Sequence, residues 1–168
     1  LGETTYTNQD RITVEGKVAV DGKVNIYVNG EKVQTVETVE KAFVAEIDLE
    51  EAENIIMLTS ELKGVETEPS SPVKVLKDKV APILEVIQPL DGEIVNLQTI
   101  HVTGNVIEEH LDKLLINEKE VMVNEEGNYN EIIMLSEGEN IITIKAIDLA
   151  GNTTTITRKV TVRPQGTF

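Results

Sequence analysis

The chain has 168 residues, of which 30 are acidic and 15 basic, and its formal net charge is −15. A surface this anionic repels phosphate backbones and anionic lipid headgroups, so nucleic acid and membranes are poor partners. The chain contains no cysteine, which excludes disulfides, thiolate nucleophiles and zinc-thiolate sites. No apolar run approaches the ~18 residues of a membrane span.

The first half of the chain alternates apolar and polar residues, as strands with one buried face do. Residues 12–14 show this alternation, and Asn29-Gly30 is the dipeptide typical of a type I′ hairpin turn, in which both central residues take positive φ. Phe43 begins the strand that follows the hairpin. A helical spacing of apolar residues is absent over any long window.

A short joint, residues 77–82, follows. We expect two domains, an Ig-like β-sandwich over residues 1–79 and another over residues 80–168, each large enough to bury a core of its own.

The second half predicts seven short strands separated by turn signals, an arrangement typical of an antiparallel β-sandwich. We expect these strands near residues 83–87, 99–106, 113–117, 120–124, 129–135, 140–148 and 153–162. We expect the body of the core to be Ile100, Val102, Leu114, Ile116, Ile133, Leu135, Ile142 and Ile144. Because glutamate is more strained than glycine at positive φ, Asn117-Glu118 predicts a turn of a different shape from Asn29-Gly30.

The two halves repeat each other. A shift of 88 residues places residues 12–33 on residues 100–121 without a gap and pairs Gly16 with Gly104 and Asn29 with Asn117. Farther along, shifts of 86 and 87 maintain the match, and each change falls near a turn. The chain therefore contains two copies of one folding unit, an internal repeat.

The first copy lacks one segment of the second. Residues 82–89 supply a strand ahead of Asp91-Gly92, whereas the first half has only residues 1–8 ahead of Ile12. We therefore expect the first sandwich to lack its first edge strand. Since Leu1 is not a methionine, we expect the chain to be a piece of a longer polypeptide.

Several motifs of the second half carry a family resemblance. They are Val80-Ala81-Pro82, Val102-Thr103-Gly104, Ile116-Asn117, Glu137-Gly138-Glu139-Asn140 and residues 146–152, Ala-Ile-Asp-Leu-Ala-Gly-Asn. The chain thereby resembles the tandem bacterial Ig-like modules of secreted and cell-surface proteins, of the glucodextranase B-like type. Such modules are also appended to subtilisin-like proteases of the bacillopeptidase F type. The resemblance implies an all-β fold, an accessory role and an extracellular location. It is weaker in the first half, where residues 59–64 replace the motif of residues 146–152.

Catalysis has only two histidines to draw on. His101 alternates with Ile100 and Val102, which places it on the solvent face of a strand, and His110 follows two glutamates in a loop. A catalytic triad needs an oriented base beside a nucleophile, which neither position offers. We expect no enzyme, no catalytic residue and no cofactor.

Metal binding has a broader basis in the sequence, because calcium is held by about six to eight oxygens. The acids form small groups at Glu108, Glu109 and Asp112, at Glu125 and Glu126, and at Asp78. None has the spacing of a calcium-binding loop, so we expect ordinary solvated acids and no metal site. Asp148 is better explained as a turn-capping side chain ahead of Ala150-Gly151-Asn152.

Carbohydrate binding usually needs exposed aromatic rings. The chain has no tryptophan, and its five rings are Tyr6, Tyr27, Phe43, Tyr129 and Phe168. We expect Phe43 and Tyr129 to lie in the two cores, which leaves Tyr27 as a thin platform between Ile26 and Val28.

These observations favour a monomeric, non-catalytic spacer or docking arm of a larger secreted or cell-surface bacterial protein, such as an extracellular protease. The partners would be other domains of that protein. The alternative is a module that binds a polysaccharide or cell-wall polymer for an attached hydrolase, and a third reading is an adhesin stalk.

Overall fold

The computed structural model describes residues 4–163, and these residues contain only β-strands and the turns that join them. No helix long and apolar enough to cross a membrane occurs in this range. Spatial contacts divide the chain into two units, Leu1–Lys79 and Val80–Phe168. Each unit is an Ig-like β-sandwich, so the predicted fold class is confirmed.

The first unit contains eight strands: β1 Thr4–Thr7, β2 Arg11–Lys17, β3 Lys23–Val28, β4 Glu31–Glu37, β5 Ala42–Asp48, β6 Glu53–Leu62, β7 Val65–Glu66 and β8 Val73–Lys77. One sheet has the order β1-β8-β6-β3-β4, with β7 paired to β6, and the other consists of β2 and β5. All of its pairs are antiparallel except β1 with β8. The core lies between the two sheets, where alternate residues of β3 and β5 meet.

The second unit also contains eight strands: β9 Ile83–Gln88, β10 Glu93–Val95, β11 Thr99–Ile107, β12 Leu111–Ile116, β13 Lys119–Val121, β14 Asn128–Met134, β15 Gly138–Asp148 and β16 Thr153–Val162. The sheets have the orders β10-β16-β15-β12-β13 and β14-β11-β9. Six of the eight predicted core residues are buried, and the other two, Ile100 and Ile133, are partly buried and pack against them.

The prediction missed β10. Its three residues are too few to show alternation, and β10 forms through a parallel pairing with β16, more than 60 residues away in sequence. The strand predicted near 120–124 ends at Val121 instead, because the side chain of Asn124 accepts hydrogen bonds from the backbone amides of Glu126 and Asn128 and starts a turn.

The expectation of a different turn at Asn117-Glu118 is wrong. Asn117 and Glu118 have φ of 48° and 67°, and Asn29 and Gly30 have φ of 52° and 86°, so both turns have the same left-handed form. The asparagines explain this. Asn117 Oδ1 accepts a hydrogen bond from the Thr143 amide at 2.9 Å, as Asn29 Oδ1 does from the Ile55 amide at 2.8 Å. This attachment to the neighbouring strand holds the turn in place despite the cost of glutamate at positive φ.

Candidate functional site

The most connected polar cluster lies on the outer face of the larger sheet in the first unit. Side chains alternate between the two faces of a strand. In β3, Val24, Ile26 and Val28 therefore face the core, whereas Asn25 and Tyr27 face outward. The hairpin that ends in β7 brings Glu66 to the same outer face.

The Glu66 carboxylate accepts three side-chain hydrogen bonds. The donors are Lys32 Nζ at 2.8 Å, Thr59 Oγ1 at 2.8 Å and the Tyr27 hydroxyl at 2.9 Å. The Lys32 hydrogen bond, followed by those of Thr59 and Tyr27, lowers the pKa of Glu66 from 4.5 to about 2. The carboxylate is therefore charged throughout the neutral range, and its hydrogen-bonding capacity is largely used by the protein itself.

Asn25 extends this cluster along β3, where it is paired with Thr59 of β6. Its side chain is fully buried, its Nδ2 donates to Glu61 Oε2 at 3.1 Å, and its Oδ1 accepts from Thr35 Oγ1 at 2.6 Å. A buried amide is stable in such a place only when it is hydrogen-bonded. The outer face is thus a satisfied polar layer.

A shallow groove borders the cluster, lined by Tyr27, Gly30, Met57, Thr59, Glu66, Thr67 and Pro69. Tyr27 is the ring expected to offer a platform for a sugar. However, Lys32 Nζ lies 5.6 Å from its ring centroid, within the range of a cation–π contact. One face of the ring is therefore occupied, and its hydroxyl is already bound to Glu66.

The other expected aromatic positions agree with the sequence reasoning where they are described. Phe43 and Tyr129 are 6% and 4% exposed, which confirms that both belong to the cores. Tyr6 is half-buried on β1. Phe168 lies outside the described residues.

The two histidines lie in different surroundings. His101 is exposed on β11, and its Nδ1 lies 2.8 Å from the side-chain oxygen of Asn130, an amide rather than a nucleophile or a carboxylate. His110 is half-buried in the loop before β12, where its backbone amide donates to Glu108 Oε1 at 2.9 Å.

The structure brings two of the predicted acidic groups together. Glu108 and Glu109 line the same groove of the second unit as Glu125 and Glu126. Two of these carboxylates have local partners, since Glu108 binds the His110 amide and Glu126 accepts from Asn128 Nδ2 at 3.3 Å.

The two remaining acids of the predicted groups lie outside this groove. The Asp112 carboxylate forms an ion pair with Lys113 at 3.2 Å. The backbone amide of Asp78 donates to the Thr7 carbonyl at 2.9 Å.

Asp148 confirms its predicted turn-capping role. It is 2% exposed, and its carboxylate accepts hydrogen bonds from the Asn152 amide and from Asn152 Nδ2, both at 2.8 Å. In the first unit, β6 continues through residues 59–62, and Lys63-Gly64 makes a tight left-handed turn instead. The weaker match of residues 59–64 to the family motif thus corresponds to a different turn.

A second groove of the first unit includes a buried acceptor without a partner. Asn54 lines this groove with several acids, and its Oδ1 has no hydrogen-bond partner among the described residues. The equivalent Asn140 accepts from the Ser136 amide at 2.9 Å, in a turn where Gly138 has a φ of 88°. Ala52 occupies the position of Gly138 and does not adopt positive φ, so the first unit does not form the same turn.

Sequence reasoning missed the Glu66 cluster. The alternation of β3 predicts an outward Tyr27, but Glu66 is 39 residues away and Lys32, Thr59 and Glu66 share no motif. Only the pairing of β3 with β4 and β6, and of β6 with β7, brings these side chains together.

Comparisons with known proteins agree with the fold. The model of the family "Glucodextranase, domain B" matches residues 82–164. The chain is 37% identical over 155 residues, or 91% of its length, to Bacillopeptidase F of Bacillus subtilis (strain 168), of which the match covers only 11%.

Solved structures show the same architecture. The fibronectin(III)-like modules of Clostridium thermocellum CbhA superpose with a TM-score of 0.64 at 18% identity, covering 97% of this chain and 90% of that chain. The titin domains I67–I69 superpose with a TM-score of 0.52 at 9% identity, and the match covers 95% of this chain and 62% of that chain. At these identities the likeness concerns the fold alone.

Proposed function

We propose that this chain is a non-catalytic accessory segment of a larger extracellular bacterial protein, because residues 82–164 match the model of the family "Glucodextranase, domain B". Its role is to space or dock the other domains of that protein. The observation that carries the proposal is the match to Bacillopeptidase F, which spans almost all of this chain but about a tenth of that protein. A segment of this kind is one part of a longer polypeptide.

The chemistry of the described surface supports a structural role. The polar cluster directs its hydrogen bonds to its own members Glu66 and Asn25, and Lys32 occupies one face of its aromatic ring. Catalytic sites instead hold polar groups ready for a substrate. His101 pairs with Asn130 on an open strand face.

Hydrolysis assays of the whole chain on peptide, protein and glycoside substrates test the non-catalytic part of this proposal. We expect no turnover above a buffer blank. A rate that disappears in a His101→Ala or His110→Ala variant, with the fold intact by circular dichroism, would overturn the proposal.

A polysaccharide-binding role remains the second candidate, and the groove beside Tyr27 and Glu66 is the observation that favours it. Sedimentation with insoluble cell-wall material and with β-glucans tests it. The spacer role predicts that the chain stays in the supernatant. Retention that Tyr27→Ala abolishes, and that the surface control Glu37→Gln leaves unchanged, would establish the binding role instead.

We also propose that the chain is monomeric in solution, because its net charge of −15 opposes self-association. Multi-angle light scattering should give the mass of one chain, 18.5 kDa, at all accessible concentrations. A dimer mass at micromolar concentration would contradict this.

A further inference from the structure

One edge of the smaller sheet in the first unit is unpaired. Within residues 4–163, β2 pairs only with β5, whereas its counterpart β11 lies between β14 and β9. The other strands of the two sandwiches correspond in order, apart from the additional strand β7. The internal repeat therefore shows what occupies this edge when the unit has all of its strands.

Backbone direction shows which groups the open edge presents. Two hydrogen bonds flank the β2–β5 ladder: the Asp10 carbonyl accepts from the Leu49 amide, and the Val18 amide donates to the Lys41 carbonyl. They continue the register of that ladder, so even-numbered residues of β2 point their backbone groups toward β5. Neighbouring residues of a strand point them in opposite directions. Glu15 and Lys17 thus direct their amides and carbonyls to the open edge. Their equivalents Thr103 and Asn105 direct theirs to β9, opposite Gln88 and Glu85.

The core beneath this edge is also less covered. In the second unit, Val102 and Val106 are 0% and 4% exposed, and Leu84 of β9 lies opposite Val106. The equivalent residues of the first unit, Val14 and Val18, are only half-buried. This difference is what the removal of one covering strand from a sandwich produces.

A glycine occupies the equivalent position of β2 and β11. A Cβ on Gly104 would lie 2.0 Å from the Glu85 carbonyl oxygen of β9, so the close approach of β9 requires glycine there. Gly16 stands at the equivalent place, and the nearest atom to its Cβ would be an edge carbon of the Phe43 ring at 2.8 Å. The backbone of β2 therefore has the surface that accepts a strand in the position of β9.

We propose that the open edge of β2 receives an extended segment of the same parent polypeptide, located ahead of residue 1. It runs antiparallel to β2 and places two alternate apolar residues opposite Gly16 and Val18, as Val86 and Leu84 are paired with Gly104 and Val106. A connection of four residues is enough to link such a strand to the next one, because in the second unit residues 89–92 alone join β9 to β10. The dipeptide Gly2-Glu3 repeats Gly92-Glu93, in which Glu93 is the first residue of β10, so the two sequences align up to this point.

A strand graft tests this proposal on the whole chain. In the graft, a copy of residues 82–91 replaces Leu1, so that the copied segment runs into Gly2-Glu3 as the original runs into Gly92-Glu93. Unfolding is followed residue by residue by NMR. We expect the melting temperature of the first unit to rise on the order of 5–10 °C, and the Glu15 and Lys17 amides to gain at least tenfold protection from hydrogen exchange.

Two matched variants make the result specific. Glutamates at the copied positions of Leu84 and Val86 should remove both gains, because the strand then presents charges to the core. Gly16→Ala in the grafted chain should also remove them, because its Cβ would meet the carbonyl of the docked strand. A graft that folds but changes neither readout would overturn the proposal. A concentration-dependent dimer of the unmodified chain, with Glu15 and Lys17 protected, would identify a second copy as the occupant and would overturn it as well.

Discussion

Alanine substitution at the two equivalent glycines should have unequal consequences. At Gly104 the new Cβ would lie 2.0 Å from the Glu85 carbonyl oxygen and 2.3 Å from the Tyr129 hydroxyl oxygen. Both obstacles belong to packed structure, one to the backbone of β9 and the other to a ring that is 4% exposed. At Gly16 the nearest atoms, at 2.8 and 3.1 Å, belong to one edge of the Phe43 ring.

The magnitudes follow from these contacts. Ordinary contact begins near 3.4 Å, so Gly104→Ala would displace β9 by more than about 1 Å. Overpacking of this kind costs about 1–3 kcal/mol. The hydrogen bond from Tyr129 to the Glu85 carbonyl, now 2.8 Å, would also be lost at about 1 kcal/mol. We expect a net cost of roughly 2–4 kcal/mol for Gly104→Ala. We expect at most about 1 kcal/mol for Gly16→Ala, because a side chain alone has to move.

Thermal and urea unfolding of the two variants measure this difference in unfolding free energy, and NMR signals of each unit show which unit loses stability. For a domain of this size, 2–4 kcal/mol corresponds to a fall of roughly 10–25 °C in the melting temperature of the second unit. Gly16→Ala should shift the first unit by only a few degrees. Equal shifts for the two variants would refute the reasoning, because they would mean that β9 does not constrain residue 104.

Three other outcomes are expected. Glu118→Gly should stabilise the second unit by about 0.5–1 kcal/mol by relieving the strain of φ 67°, and Gly30→Glu should destabilise the first unit by a similar amount; urea unfolding that shows the opposite signs would contradict this. The pKa of Glu66 is lowered to about 2. The stability that its charged carboxylate gives the first unit is therefore complete above pH 4.5 and is lost as the pH falls through 2. The melting temperatures of the native chain and of Glu66→Gln should therefore converge over that interval, and a constant difference would rule out this role. Because burial raises the pKa of Tyr129 from 10.0 to about 12, the second unit should lose stability as the pH rises from 10 through 12, whereas the second unit of Tyr129→Phe should lose less over that interval; identical alkaline profiles of the second unit in the native chain and in Tyr129→Phe would disprove it.

The sequence predicted the fold through features that local rules control. Alternation located most strands of the second unit to within two residues, and Asn29-Gly30 identified a turn whose φ values the dipeptide itself requires. Asp148 could be assigned because its partner, Asn152, is four residues away. Each of these features depends on neighbours in the chain.

The features that escaped prediction depend on distant partners. The short strand β10 forms through a parallel pairing with β16. Glu118 adopts a left-handed conformation because Asn117 is attached to β15. The Glu66 cluster assembles from three strands and a hairpin. Local propensity carries no information on such contacts, which form only when the sheet does.

Amide hydrogen exchange along β2 and β11 tests most directly whether the two units are one sandwich built twice and differing at one edge. In the native chain, the Thr103 and Asn105 amides should be strongly protected by β9, whereas the equivalent Glu15 and Lys17 amides should exchange nearly as fast as in an unstructured peptide. The Val14 and Val102 amides, which point toward β5 and β14, should be protected in both units. Equal protection of Glu15 and Thr103 in the monomeric chain would contradict the correspondence between the two units.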